Sequence, residues 1–370
     1  MMQASAIWQF SLDSLHALAW GGPLLIALIV CARFVPLRTL VISTTVLTVI
    51  LVMLGAYVRL TNAGLGCPDW PGCYGKLSPS LAAEQIEAAQ TQAPTGPVSL
   101  PKAWKEMAHR YLASLVGVMV LAIAWQALRG RRRGGYSEPK TAIGLPLALV
   151  LMVVLQGLFG KWTVTLLLKP VIVTLHLLGG MALVALLAWL SARVLELSAG
   201  PPSVLRGLRP WAFLALVALS CQIALGGWVS TNYAALACTD FPTCHGAWVP
   251  SMDFNHGFHF LRELGMTADG EPLSNDALNA IHWAHRVGAL VASIVIGIAG
   301  FRSLPIRDLH GYGVSLLALL LLQVTLGITN ILASLPLPAA VAHNGVAALL
   351  LVTLVMLNFA ANAPATFFRR

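Results

Sequence analysis

The sequence predicts an all-α polytopic membrane protein: two tandem four-helix bundles related by a pseudo-twofold axis along the membrane normal, preceded by an extra N-terminal transmembrane helix. Three observations carry that prediction. Of 370 residues, 58% are hydrophobic and only 10% charged, and the mean hydropathy is +0.78, which leaves too little polar surface to cover a water-soluble globule. Eight apolar stretches each approach the roughly 20 residues that a helix needs to cross the hydrocarbon layer. The second half of the chain also repeats the first.

The segment 1–38 holds the expected extra helix at about 16–34, an apolar run interrupted by Gly21-Gly22-Pro23. It does not read as a cleaved leader, because no basic stretch precedes it and no small-residue cleavage site follows. The eight core spans fall near 39–58, 108–128, 142–160, 171–195, 210–229, 281–300, 311–333 and 338–360. They divide into a first half at 39–196, a linker at 197–208 and a second half at 209–370.

Basic residues collect between alternate spans. Arg33, Arg38, Arg129, Arg131, Arg132, Arg133, Lys140, Arg193, Arg206, Arg209, Arg302, Arg307, Arg369 and Arg370 all fall on one side, 14 of the 23 basic residues. Short cytoplasmic loops retain such charge, so the C-terminus is expected in the cytoplasm and the long loops at about 59–106 and 230–280 outside, in a bacterial inner membrane. The same placement accounts for the net charge of +9, and no basic aromatic groove points to nucleic acid. The expected surroundings are membrane lipid and, for partners, a homo-oligomer.

The repeat is visible in the residues themselves. Gly55-Ala-Tyr-Val58 answers Gly226-Gly-Trp-Val229, and Cys67-Pro-Asp-Trp-Pro-Gly-Cys73 answers Cys238-Thr-Asp-Phe-Pro-Thr-Cys244. His109-Arg110 answers His285-Arg286, Gln156 answers Gln323, and His176 answers His343. Each half has an even number of spans, so both enter the membrane in the same orientation, which sets the expected axis. Cys31 and Cys221 lie in apolar spans as small hydrophobes. In an oxidising compartment the close pairs Cys67–Cys73 and Cys238–Cys244 favour disulfides, with a shared four-cysteine metal site as the rival.

His109, His176, His285 and His343 each lie on an even-numbered core span near its outer end, hence at similar depth. Facing helices of a four-helix bundle are where such bundles hold cofactors, and two opposed imidazoles suit the six-coordinate iron of a planar porphyrin. A lone membrane histidine would serve equally as a helix-helix hydrogen bond or a proton relay. Zinc is disfavoured, because tetrahedral sites want three or four protein ligands. Small residues near the ligands (Gly179, Gly180, Gly288, Gly345, Ala113, Ala289, Ala347, Ala348) suit either a flat macrocycle or close helix packing. Arg110 and Arg286 follow their histidines and are candidate partners for haem propionates, against snorkelling to headgroups.

The run from Gly55 to Gly75, the Glu106-Met-Ala-His109-Arg110 sequence and the later helix histidines together resemble the haem A synthase family, over nearly the whole chain from about residue 40. The resemblance implies oxidation of a methyl group of haem O to the formyl group of haem A, in support of haem-copper terminal oxidases. It further implies that His109 and His176 embrace the substrate haem, that His285 and His343 hold a resident haem b, and that Cys67 and Cys73 are the family's outward cysteine pair. Haem O, the haem O synthase that supplies it and an electron donor are the implied partners. Two features depart from the family pattern: the helix before residue 35 and the second cysteine pair, Cys238 with Cys244.

Three residues before the ligand histidine the first half has Glu106 and the second His282, and residues so spaced share a helical face. Glu106 is the family's carboxylate and the candidate catalytic residue, able to move protons or stabilise positive charge. An acid in a helix's first turn also complements the helix dipole. Two other functions remain open on the residues alone: a di-haem b-type cytochrome passing electrons from quinol without modifying haem, and a transporter with a histidine proton relay.

Overall fold

A computed structural model describes residues 26–132, 143–197 and 205–362. Among them, eight helices are long and apolar enough to cross a membrane. In chain order they are α1 (Leu37–Leu60), α2 (Leu100–Arg132), α3 (Gly144–Thr165), α4 (Pro170–Val194), α5 (Arg209–Thr231), α6 (Asn275–Ser303), α7 (His310–Leu332) and α8 (Leu337–Asn362). The protein is thus a polytopic, all-helical membrane protein. Residues 26–34 are also helical, and Gln126 of α2 donates to the carbonyls of Cys31 and Val35 at the end of that turn of chain. Residues 16–25 of the expected extra helix lie outside the described residues.

Two helices begin well before their apolar windows, α2 at Leu100 and α6 at Asn275. Their first turns carry Lys102, Lys105 and Glu106, or Asp276, Asn279 and His282, too polar for a hydropathy reading to include. Local signals still start these helices: the Ser274 hydroxyl accepts from the Ala277 N–H at the head of α6, where Asp276 complements the dipole. Pro170 and Pro210 open α4 and α5, where a missing N–H costs nothing. Inside α1, Thr44, Thr45 and Thr48 return their hydroxyls to carbonyls one turn back, because hydrocarbon offers no water to satisfy them.

In each half the helices form a closed ring. α1 packs on α2, α2 on α3, α3 on α4 and α4 on α1; α5 to α8 repeat the order. Helices α2 and α4, and likewise α6 and α8, therefore stand on diagonals of their bundles. Equivalent polar contacts close each ring: Thr45 meets Ser191 at 2.9 Å between α1 and α4, and the Asn358 amide donates to Ala212 O at 2.8 Å between α8 and α5. The tight turns repeat as well. Leu167 and Leu168 (φ 49 and 59) join α3 to α4, and Ser334 and Leu335 (φ 55 and 63) join α7 to α8. Each turn is locked by an N–H reaching the last helical turn, Leu168 to Thr163 O at 2.9 Å and Leu335 to Asn330 O at 2.7 Å.

The halves meet through α1, α4, α5 and α8. Gly345 of α8 sits so close to Met53 of α1 that a Cβ there would lie 2.8 Å from the thioether sulfur. Thr174 and Thr231 share a hydrogen bond of 3.1 Å between α4 and α5. At the end bearing the long loops, Arg59 donates to Ser230 O at 2.7 Å and lies 3.9 Å from the Tyr233 ring centroid, a cation placed on a helix C-terminus. Gly345→Leu should therefore overpack the seam and cost about 1–3 kcal/mol. In detergent it should lower the unfolding temperature, while Gly157→Leu, where a Cβ meets nothing within 4 Å, should leave it near wild type.

Candidate functional site: four glycine-seated histidines under two disulfide clasps

Each of the four histidines rests on a glycine of the helix that precedes its own. A Cβ on Gly55 would lie 3.1 Å from His109 Cε1, and a Cβ on Gly226 would lie 3.1 Å from His285 Cε1, with the next two ring atoms at 3.7 and 3.8 Å in both cases. Gly160 lies against His176 in the same way at 3.6 Å, and Gly327 against His343 at 3.3 Å. A Cβ at Gly55, Gly226 or Gly327 would press on the imidazole, and one at Gly160 would touch it in ordinary van der Waals contact. The odd-numbered helices thus present a bare backbone at the level of the rings, and the even-numbered helices fill it.

Within each half, the two imidazoles are close enough to interact electrostatically, His109 with His176 and His285 with His343. They come from diagonal helices, α2 with α4 and α6 with α8. The Nδ1 atoms of His109, His176 and His343 are buried without a hydrogen-bond partner. Among the described residues, no group of three or more His, Cys, Asp or Glu side chains surrounds a metal-sized position. Two histidines on diagonal helices in each half suit an iron porphyrin, which brings four ligands of its own, and do not suit a tetrahedral ion.

One helical turn before the seating glycine stands a glutamine in three of the four cases: Gln156 before Gly160, Gln222 before Gly226 and Gln323 before Gly327. Gln222 Nε2 donates to His285 Nδ1 at 2.9 Å and is 3.0 Å from His285 O; Gln323 Nε2 donates to His343 Nε2 at 3.1 Å. Gln156 instead lies over Gly179, where a Cβ would fall 1.8 Å from its Nε2, an atom left without a partner. The fourth position, before Gly55, is Leu51. The small residues singled out from sequence divide accordingly: Gly179, Gly180 and Gly288 make room for glutamines, and Gly345 makes room for Met53.

Above the histidines, each long loop folds into the same clasp. Cys67–Cys73 and Cys238–Cys244 are disulfide-bonded, with Cα atoms 4.9 and 4.8 Å apart, so the four-cysteine metal site is not formed. In each loop an aspartate closes the turn: Asp69 accepts from the Tyr74 and Gly75 N–H groups, and Asp240 from those of His245 and Gly246. The Thr243 hydroxyl, then those N–H groups, hold the Asp240 carboxyl well below the usual carboxylate range. Both turns require positive φ at the glycine, Gly75 at 68° and Gly246 at 75°.

Glu106 and Arg110 tie the first clasp to α2. Glu106 is the one buried acidic side chain among the described residues. Its Oε2 accepts from the Cys67 N–H at 2.9 Å and its Oε1 from Arg110. Arg110 also donates to the carbonyls of Asp69, at 2.8 Å, and Gly72. In the second half His282 takes the place of Glu106. Its Nδ1 lies 3.2 Å from the Cys238 N and its Nε2 3.3 Å from Arg286 Nε, and a neutral imidazole accepts from one of these two donors, while Arg286 donates to Thr243 O and Cys238 O at 2.7 and 2.9 Å. The guanidinium hydrogen bonds of Arg110 and Arg286, expected at haem propionates, thus go to the clasp loops.

Residues 38–355 match the family model described as cytochrome oxidase assembly protein, COX15-CtaA. The chain is 41% identical over 318 residues to a heme A synthase of Shewanella oneidensis, covering 85% of this chain and 94% of that protein. It is 31% identical over 343 residues to a heme A synthase of a Caulobacter species, covering 86% and 94%. A heme A synthase of Halalkalibacterium halodurans is 29% identical over 230 residues, 60% of this chain and 69% of its own length. The matched range contains both clasps, all four histidines and the glycines that seat them, and the chain belongs to the COX15-CtaA family of cytochrome oxidase assembly proteins.

Proposed function

We propose that this chain is a haem A synthase, an oxidoreductase that converts the methyl group of haem O to the formyl group of haem A for haem-copper terminal oxidases. The observation that carries the reading is the pair of histidines on diagonal helices of each bundle, each ring seated on a glycine, in a chain 41% identical to a heme A synthase over most of its length. In this reading His109 and His176 hold the substrate haem O, and His285 and His343 hold a resident haem b. In the same reading the long loops face the periplasm and the C-terminus the cytoplasm of a bacterial inner membrane, which the distribution of arginines supports.

Bound haem supplies the redox and oxygen chemistry, and the protein positions the groups around it. The glycine seats fix the height and tilt of each imidazole, and the packed bundle keeps water from the reacting carbon. Glu106 lies one turn from His109, and its carboxylate, braced by Arg110 and the Cys67 N–H, is the group available in the first half to stabilise positive charge or to take a proton. The second half has an imidazole in that position, which is why the reaction is assigned to the first.

Because His282 makes the same clasp as Glu106, the structural and catalytic parts of Glu106 separate experimentally. Glu106→His should retain the clasp, the unfolding temperature and bound haem, yet lower conversion by about 100-fold or more; full conversion in that variant would remove the carboxylate from the reaction. Glu106→Ala should lose both the clasp and conversion. The function itself is tested by expressing the chain with a supply of haem O and extracting its pigments. Haem A or its hydroxylated precursor is expected. Haem B alone, reducible by quinol, would instead establish a di-haem electron carrier.

A further inference from the structure

The two haem sites of the proposed synthase should hold their ligands with different firmness, and the side chains on the odd-numbered helices say which is which. In the second half both imidazoles are hydrogen-bonded to a glutamine, His285 to Gln222 and His343 to Gln323. In the first half neither is: Leu51 cannot hydrogen-bond, and Gln156 lies over Gly179 with its Nε2 unpartnered; His109, His176 and His343 each have an orphan Nδ1, and of these three rings His343 alone has a glutamine on its other nitrogen. The contrast is not a local accident of α1. Gly55 and Gly226 seat His109 and His285 at the same distances, so Leu51 occupies the position of Gln222 four residues before the glycine.

The partner helix carries a matching change. Three residues after its histidine, α6 has Gly288, where a Cβ would lie 2.4 Å from Gln222 Oε1; three residues after His109, α2 has Leu112. On the α5 and α6 pair a glutamine thus comes with a glycine three residues past the histidine, and on the α1 and α2 pair a leucine with a leucine; Gln156 with Gly179 repeats the first combination, and Gln323 goes with Val346.

An imidazole that ligates iron through one nitrogen carries a proton on the other, and an acceptor for that proton fixes the ring and makes it a stronger donor. The Gln222 amide, turned about its last bond, offers Oε1 to that N–H. With no such acceptor the ring is a weaker donor and binds iron less firmly. We infer that Gln222 and Gln323 are positioning residues that retain the resident haem, and that Leu51 with Leu112 keeps His109 a weak ligand so that the first site releases its haem. This rests on the assignment of the first half to the substrate.

The test loads the full-length, detergent-purified chain with haem and follows transfer to excess apomyoglobin. Wild type should lose haem in two phases. Gln222→Leu should speed the slow phase about tenfold and raise the midpoint potential of the retained haem, while Gln222→Glu, a stronger acceptor, should lower that potential. Leu51→Gln/Leu112→Gly should slow the fast phase about tenfold. Unchanged phases and potentials in the Gln222 variants would overturn the inference, whether or not the double variant folds. Pigment extraction from the wild type is read separately, so failure to form haem A would count against the proposed function and leave the exchange result standing.

Discussion

A polar ring inside a membrane bundle has to be accommodated by protein alone, and here the accommodation is a glycine on the neighbouring helix. Hydrocarbon cannot solvate an imidazole, so the ring must fit between helices without being crowded out of the bundle interior. Gly55, Gly160, Gly226 and Gly327 each strip one helix to its backbone at the height of a histidine. Small residues let helices approach closely in membranes, and this chain uses that freedom to bring a ring, not a second backbone, into the gap. The diagonal placement of α2 with α4 and of α6 with α8 then turns four seated rings into two opposed pairs.

The clasps act on the same rings from above. Glu106 and His282 lie one turn before His109 and His285 and bind the N–H of the first cysteine of each disulfide. Arg110 and Arg286 come directly after the histidines and bind loop carbonyls. His109 and His285 are thus each bracketed by two residues that anchor their helix to a cross-linked loop. A carboxylate and an imidazole can both serve in this anchoring, the carboxylate by accepting from two donors and the imidazole from one. The difference between them is therefore left free for chemistry, and the two like halves can serve unlike roles.

Much of this was legible in the sequence because the bilayer imposes coarse rules. Apolar runs marked all eight spans, and the cysteine loops and histidines revealed the repeat. The heads of α2 and α6 escaped because Lys102, Glu106, Asp276 and His282 make polar turns that extend past the apolar window. The glutamine and glycine of each seat were also in plain view, but each looks like an isolated small or polar residue until the helices are paired. A shorter repeat, one helical hairpin per histidine, was hidden by loops of very different length: Gly160 precedes His176 across a tight turn, and Gly55 precedes His109 across a whole clasp. The partners of Arg110 and Arg286 depend on the path of the loop, which no local pattern encodes.

The placement of the four rings depends on the glycine seats more than on any other feature, and counting bound haem in seat variants tests them most directly. Gly55→Val and Gly226→Val each add side-chain atoms where a Cβ already lies 3.1 Å from the ring. In the purified, haem-loaded protein, each variant should lose the low-spin bis-histidine signal of one site and keep the other, and the double variant should lose both. Two intact signals in the double variant would contradict the account.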